Sequence, residues 1–184
     1  RFKTIALAAA AVSLAAVLAV RDSRYNLSVT RYELEFDNLP AEFDGFRIVH
    51  ISDLHGAVFG ENNSSLAELI KEQEADIIAM TGDFAGNITE LGATDALLEE
   101  LGGDTPVYFA SGNHEWVGDL MPRMRRLLSQ HGAHCLENTY EKIEKDGASI
   151  IICGAEDPNG RADMTDPETL AAIIREEYPE SFVL

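Results

Sequence analysis

Three short clusters hold the residues whose types could do chemistry: Asp53-Leu54-His55, Gly82-Asp83 and Gly112-Asn113-His114-Glu115. Each follows a short apolar run. Asp53 to Asp83 is 30 residues (83 − 53) and Asp83 to Asn113 is again 30 (113 − 83), about the length of one strand-helix-strand step. Parallel strands related in this way bring their carboxyl ends to one edge of a sheet, where open α/β sheets place their ligands. Asp53, His55, Asp83, Asn113 and His114 are therefore expected to converge. Ionised groups gathered at a partly buried edge are costly unless a cation pairs with them, so divalent metal is implied. The mixed oxygen and imidazole donors suit Mn, Fe or Zn better than Ca. If there are two ions, Asp83 is the natural bridge. Such a pair holds a phosphoryl group, lowers the pKa of a bound water and stabilises attacking and leaving oxygens, which is phosphoester hydrolysis.

The elements that must position these clusters alternate between strand and helix. Residues 46–52, 77–81 and 107–110 read as buried strands, short, apolar and largely β-branched or aromatic. Between and after them, 64–74 (capped by Ser64 or Ser65), 93–101 and 120–130 (entered at Met121-Pro122) read as helices. Residues 29–36 alternate apolar and polar as a half-exposed strand would. Further β pieces are expected near 133–136, 140–143 and 148–153, the last two joined by the hairpin signal Asp146-Gly147. Asp166-Pro167 opens a helix to about residue 176. The pattern predicts an α/β domain with parallel strands and right-handed crossovers.

At this point the ordered set of clusters is similar to the signature of calcineurin-like metallophosphoesterases, over roughly residues 46–184. The apolar N-terminal segment, Tyr32-Glu33-Leu34 and the run from Ile48 to His55 most resemble the bacterial membrane-associated branch. The resemblance implies a four-layer fold, a two-sheet sandwich flanked by helices. It implies Asp53 and His55 on a first metal, Asp83 bridging, Asn113 on a second, and His114 as the acid that protonates the leaving alcohol or orients the phosphate. The family adds a later histidine and a Gly-His-x-His motif, whereas no histidine follows His134 here. The run 181–184 reads like a strand just beginning, so the chain is expected to be incomplete at its C-terminus, to bind the second ion poorly and to be inactive by itself. The alternative is a non-catalytic envelope module that keeps the fold without a complete metal site.

Composition bounds the partners. The 184 residues suit one globular domain, expected over 28–184, and the formal net charge of −18 repels nucleic acid. An acidic chain still acts on small or lipid-linked phosphate esters where bound cations reverse the field locally. Residues 4–20 are almost wholly apolar between Lys3 and Arg21. As a helix they would span roughly 25 Å, slightly short of a hydrocarbon core of about 30 Å. Residues 1–21 are read as a membrane anchor or signal segment, with 22–27 as linker. No clean small-x-small cleavage site stands before Arg21, which favours the anchor over a cleaved signal peptide. The domain would then sit at the cell membrane on the extracytoplasmic side, or be secreted if the segment is cleaved.

The remaining candidates have plainer readings. His50 reads as a satisfied core or interface histidine, and His131 and His134 as helix-end and loop residues. Glu115 is open between positioning a ligand and pairing with Arg123 or Arg125, and Trp116 between shaping the site's mouth and packing. Cys135 and Cys153 could pair in an oxidising compartment, but Cys153 after Ile150-Ile151-Ile152 reads as a free buried thiol. The acidic run 157–166 is assigned no function.

Overall fold

The computed structural model describes residues 13–14, 26–157 and 165–184. The chain divides into two compact units, 1–34 and 35–184. Apart from Ser13 and Leu14, the expected anchor lies outside the described residues. Among the described residues no helix is long and apolar enough to cross a membrane. Residues 29–36, expected as a strand, have no regular secondary structure. Alternation shapes two faces, but a strand exists only when a neighbour completes its hydrogen-bond ladder, and here both faces are exposed.

The second unit is built on a four-stranded sheet of order β1 (Ile48–Ile51), β2 (Ile77–Thr81), β3 (Val107–Ala110) and β4 (His134–Cys135), all parallel. Four helices lie along the chain between or just after these strands: α1 (Ser64–Lys71), α2 (Ile88–Leu101), the short α3 (Asn113–Val117) and α4 (Met121–Gln130). β2 and β3 are central and buried, and run over the residues the sequence predicts. β1 is an edge strand, and Ile48 and His50 are exposed, which corrects the reading of 46–52 as buried. His50 Nε2 lies 2.6 Å from Thr81 Oγ1, so its ring is satisfied at the sheet surface rather than in the core.

β5 (Thr139–Lys145) and β6 (Ala148–Gly154) form an antiparallel hairpin. Its turn, Asp146 and Gly147, has φ of +51° and +90°, the left-handed pair that a type I′ hairpin needs. Phe182 to Leu184 run parallel beside β6, with Leu184 N–H donating to Ile151 O at 2.8 Å. Period-two alternation then builds the layers. Ile152 of β6 joins Ile77, Tyr108 and Leu136 in one core between the two sheets, while its neighbour Ile151 packs under Leu170 and Ile174 of α5 (Pro167–Glu177). On β2, Ile78 and Met80 alternate with Ile77 and are fully buried. The expected α/β organisation of two sheets with flanking helices is present.

Two helix starts differ from expectation for local reasons. α2 begins five residues early (93 − 88) because Asn87 Oδ1 accepts from Thr89 N–H at 3.0 Å and Glu90 N–H at 3.2 Å. Glu90 in turn accepts from Gly86 N–H at 2.7 Å. Asn87-x-x-Glu90 has capping-box spacing, a signal present in the sequence. α1 has Asn63 at its N-cap in a left-handed conformation, with no side-chain cap from either serine. At α5 the expected Asp166 cap accepts from Thr169 N–H at 2.9 Å.

Both cysteines are free thiols. Burial, helped by the nearby Glu137 charge, pushes Cys135 up to about 12. Against an ordinary thiol its thiolate fraction at pH 8 falls by about a thousandfold. Iodoacetamide at pH 8 is therefore expected to label Cys135 far more slowly in native protein than in urea, read by peptide mass spectrometry. Equal rates would show that β4 is not packed as described.

Candidate metal centre

The three parallel strands end at one edge, and their hydrogen-bonding continues beyond the strands into the loops. Gly82 N–H donates to Ala110 O at 2.8 Å, Asp53 N–H to Gly82 O at 3.1 Å, and His55 N–H to Asp83 O at 2.9 Å. Gly56 N–H donates to Phe84 O at 2.8 Å. The loops after β1, β2 and β3 are thus fixed against one another as strands are. The turns are sharp: Asp53, His55 and Asp83 have φ of +56°, +46° and +57°. Left-handed backbone costs about 1 kcal/mol or more at a non-glycine residue, and such residues gather at functional sites.

All five expected site residues come together at this edge. One donor atom each from His55, Asp83 and His114 lies within 4.8 Å of the others. The rings of His55 and His114 meet edge to face, with centroids 4.5 Å apart. His55 Nε2 is 4.0 Å from Asp53 Oδ1, and the His114 backbone N–H donates to Asp83 Oδ1 at 2.9 Å. Asp53, Asp83 and Asn113 line a cleft of about 430 Å³ together with Cys153 to Ala155 and Asp157. Asp157 therefore faces the site, although the acidic run that it begins carried no expectation, and residues 158–164 of that run lie outside the described residues.

The donor set fits a borderline divalent cation. Two imidazoles and the Asp83 carboxylate are close enough to share an ion, and Asp83 also lines the cleft beside a second carboxylate, Asp53, and the amide of Asn113. Among the described residues only one Asp83 oxygen, Oδ1, accepts a hydrogen bond, so the side chain retains an oxygen for a cation.

The other histidines lie elsewhere. His131 Nε2 pairs with Asp95 at 2.7 Å, and His134 Nδ1 with Glu141 at 2.7 Å while its ring stacks on Tyr108. Trp116 Nε1–H donates to Ser111 Oγ at 2.9 Å. Arg125 makes a two-pronged contact with Glu137 at 2.6 and 2.7 Å rather than meeting Glu115. Glu115 is fully buried and, among the described residues, binds backbone N–H groups only. The sequence left its role open because backbone partners have no residue-type signature.

A parallel-sheet edge carrying two carboxylates, two imidazoles and an amide, backed by a second sheet, defines an α/β domain with a candidate metal centre. The chain belongs to the calcineurin-like phosphoesterase family, whose model matches residues 46–177. It is 34% identical over 126 residues to the metallophosphoesterase YkoQ of Bacillus subtilis, covering 66% of this chain and 46% of that protein. It is 25% identical over 168 residues to a transmembrane protein with metallophosphoesterase domain of Danio rerio, covering 87% of this chain and 38% of that protein. The chain thus spans less than half the length of these relatives. The crystal structure of phosphopantetheinyl hydrolase from Mycobacterium tuberculosis aligns with a TM-score of 0.41 at 18% identity, over 72% of this chain and 51% of that one.

Proposed function

We propose that the protein hydrolyses phosphate mono- or diesters at a site for two divalent transition-metal ions, Mn, Fe or Zn, and that it does so at the cell envelope. The observation that carries the reading is the meeting of His55, Asp83 and His114 donor atoms at the carboxyl edge of the parallel sheet. In this reading Asp53, His55 and Asp83 would hold one ion, and Asp83 and Asn113 would hold the other. When bound, the ions polarise the phosphoryl oxygens and supply a water of lowered pKa. His114 holds its imidazole beside that position and donates a ring N–H proton to the leaving alcohol oxygen. The cleft takes the alcohol portion of the ester against the wall formed by residues 153–155.

The expected result is that the full natural chain with Mn hydrolyses an aryl phosphate ester, that EDTA removes the activity, and that added Mn restores it. Activity indifferent to EDTA sinks the metal reading. Absence of turnover by a Mn-loaded full chain leaves a non-catalytic binding module. Envelope placement is supported by the apolar segment 4–20 and by the word transmembrane in the name of the Danio rerio relative. Protease added to intact cells is expected to digest the domain, and its survival there would place it inside.

A further inference from the structure

We propose that Glu115 is a positioning residue for the metal centre, its carboxylate serving as an internal anion that holds Asp83 in place. The inference rests on the metal-centre reading above. Glu115 Oε1 accepts from Phe84 N–H at 2.7 Å and Ala85 N–H at 3.1 Å, and Oε2 from Asp83 N–H at 3.0 Å and Gly112 N–H at 2.9 Å. A fully buried carboxylate is costly unless its charge is met, and among the described residues no ion pair meets this one; four backbone amides do so instead. Only the bond to Gly112 belongs to the helix start. The other three come from consecutive residues 30 to 32 positions earlier in the chain (115 − 85 and 115 − 83).

Successive N–H groups aimed at one point form a concavity that binds anions. The turn after β2, with Gly82 at φ +69° and Asp83 at φ +57°, is such a concavity filled by the chain's own side chain. His114 completes the grip, since its N–H takes Asp83 Oδ1 while the next residue takes Asp83 N–H. Asp83 is thereby fixed at both its backbone and its carboxylate, in a left-handed conformation it would otherwise tend to leave. Because each oxygen accepts two N–H groups, glutamine is a poor substitute: its NH2 would face two donors. Aspartate falls one methylene short.

The test compares Glu115→Gln with the unaltered full natural chain. Amide exchange of Asp83, Phe84 and Ala85 in metal-free protein is expected to accelerate, and Mn affinity of the folded protein to fall about 10- to 100-fold, the usual effect of losing an outer partner of a ligand. A purely structural role would lower Tm and leave the Mn affinity of the folded fraction unchanged, and that outcome, or unaltered amide protection, overturns the proposal. If Glu115→Gln does not fold, Glu115→Asp probes the same grip with the charge kept, because its carboxylate is drawn back by one methylene from the amides of residues 83–85. The same loss of Mn affinity supports the inference, and wild-type affinity overturns it. An unaltered chain that binds no Mn sinks the metal reading instead, and amide exchange then decides the role of Glu115.

Discussion

Asp83→Asn is expected to lower Mn-dependent hydrolysis of an aryl phosphate ester by at least about a hundredfold, since loss of a direct ligand exceeds the 10- to 100-fold typical of its outer partners. The substitution isolates charge. Asparagine keeps an Oδ1 to accept the His114 N–H, now at 2.9 Å, and it tolerates the left-handed backbone that residue 83 adopts at φ +57° as readily as aspartate does. The metal-free variant should therefore melt within a degree or two of the parent while its Mn affinity collapses. Asp83 is the one carboxylate in the tight group with His55 and His114, so no neighbour within that group replaces the lost charge. Parental turnover in the variant, measured at saturating Mn, would remove Asp83 from the role between two ions and with it the proposed mechanism.

The parts of the fold that could be read from sequence are those set by local chemistry. The runs forming β2 and β3 are apolar on both faces because both faces are covered, up to the exposed Thr81 that closes β2. Asp146-Gly147 and Asp166-Pro167 announce a turn and a helix start through backbone preferences that no tertiary contact has to supply. The equal spacing of Asp53, Asp83 and Asn113 gives convergence because each interval contains one strand-to-strand step. What could not be read depends on partners distant in the chain. The Phe46–Ser52 run has the composition of a buried strand, but sheet order places β1 at an edge. Residues 29–36 have the right alternation and no ladder. Glu115 is the sharpest case, because three of its four partners are main-chain amides some 30 residues away, and a peptide N–H looks the same in every sequence.

Gly82→Ala is expected to lower Tm by about 10 °C and to abolish stoichiometric Mn binding. An ideal Cβ at Gly82 would lie 2.8 Å from Gly112 Cα and 3.0 Å from Gly112 N. Both are backbone atoms, held by β3 and by the Glu115 bond, so neither can rotate aside as a flexible side chain would. Left-handed backbone at φ +69° adds about 1 kcal/mol, and overpacking against a fixed neighbour adds about 2, together about 3 kcal/mol. Gly45→Ala is the matching control: its φ is +71° and nothing lies within 4 Å of the added carbon, so only the conformational part applies and Tm should fall by about 3 °C with Mn binding intact. The difference between the two variants measures close approach at the strand exits rather than glycine's freedom. Gly82 is where that approach matters most, since its N–H reaches Ala110 and its carbonyl receives Asp53, so one methyl group separates all three loops that carry the site. Equal melting and equal Mn binding in the two alanine variants would mean that the exits tolerate separation, and that the convergence of Asp53, Asp83 and Asn113 depends on the ions themselves more than on the sheet.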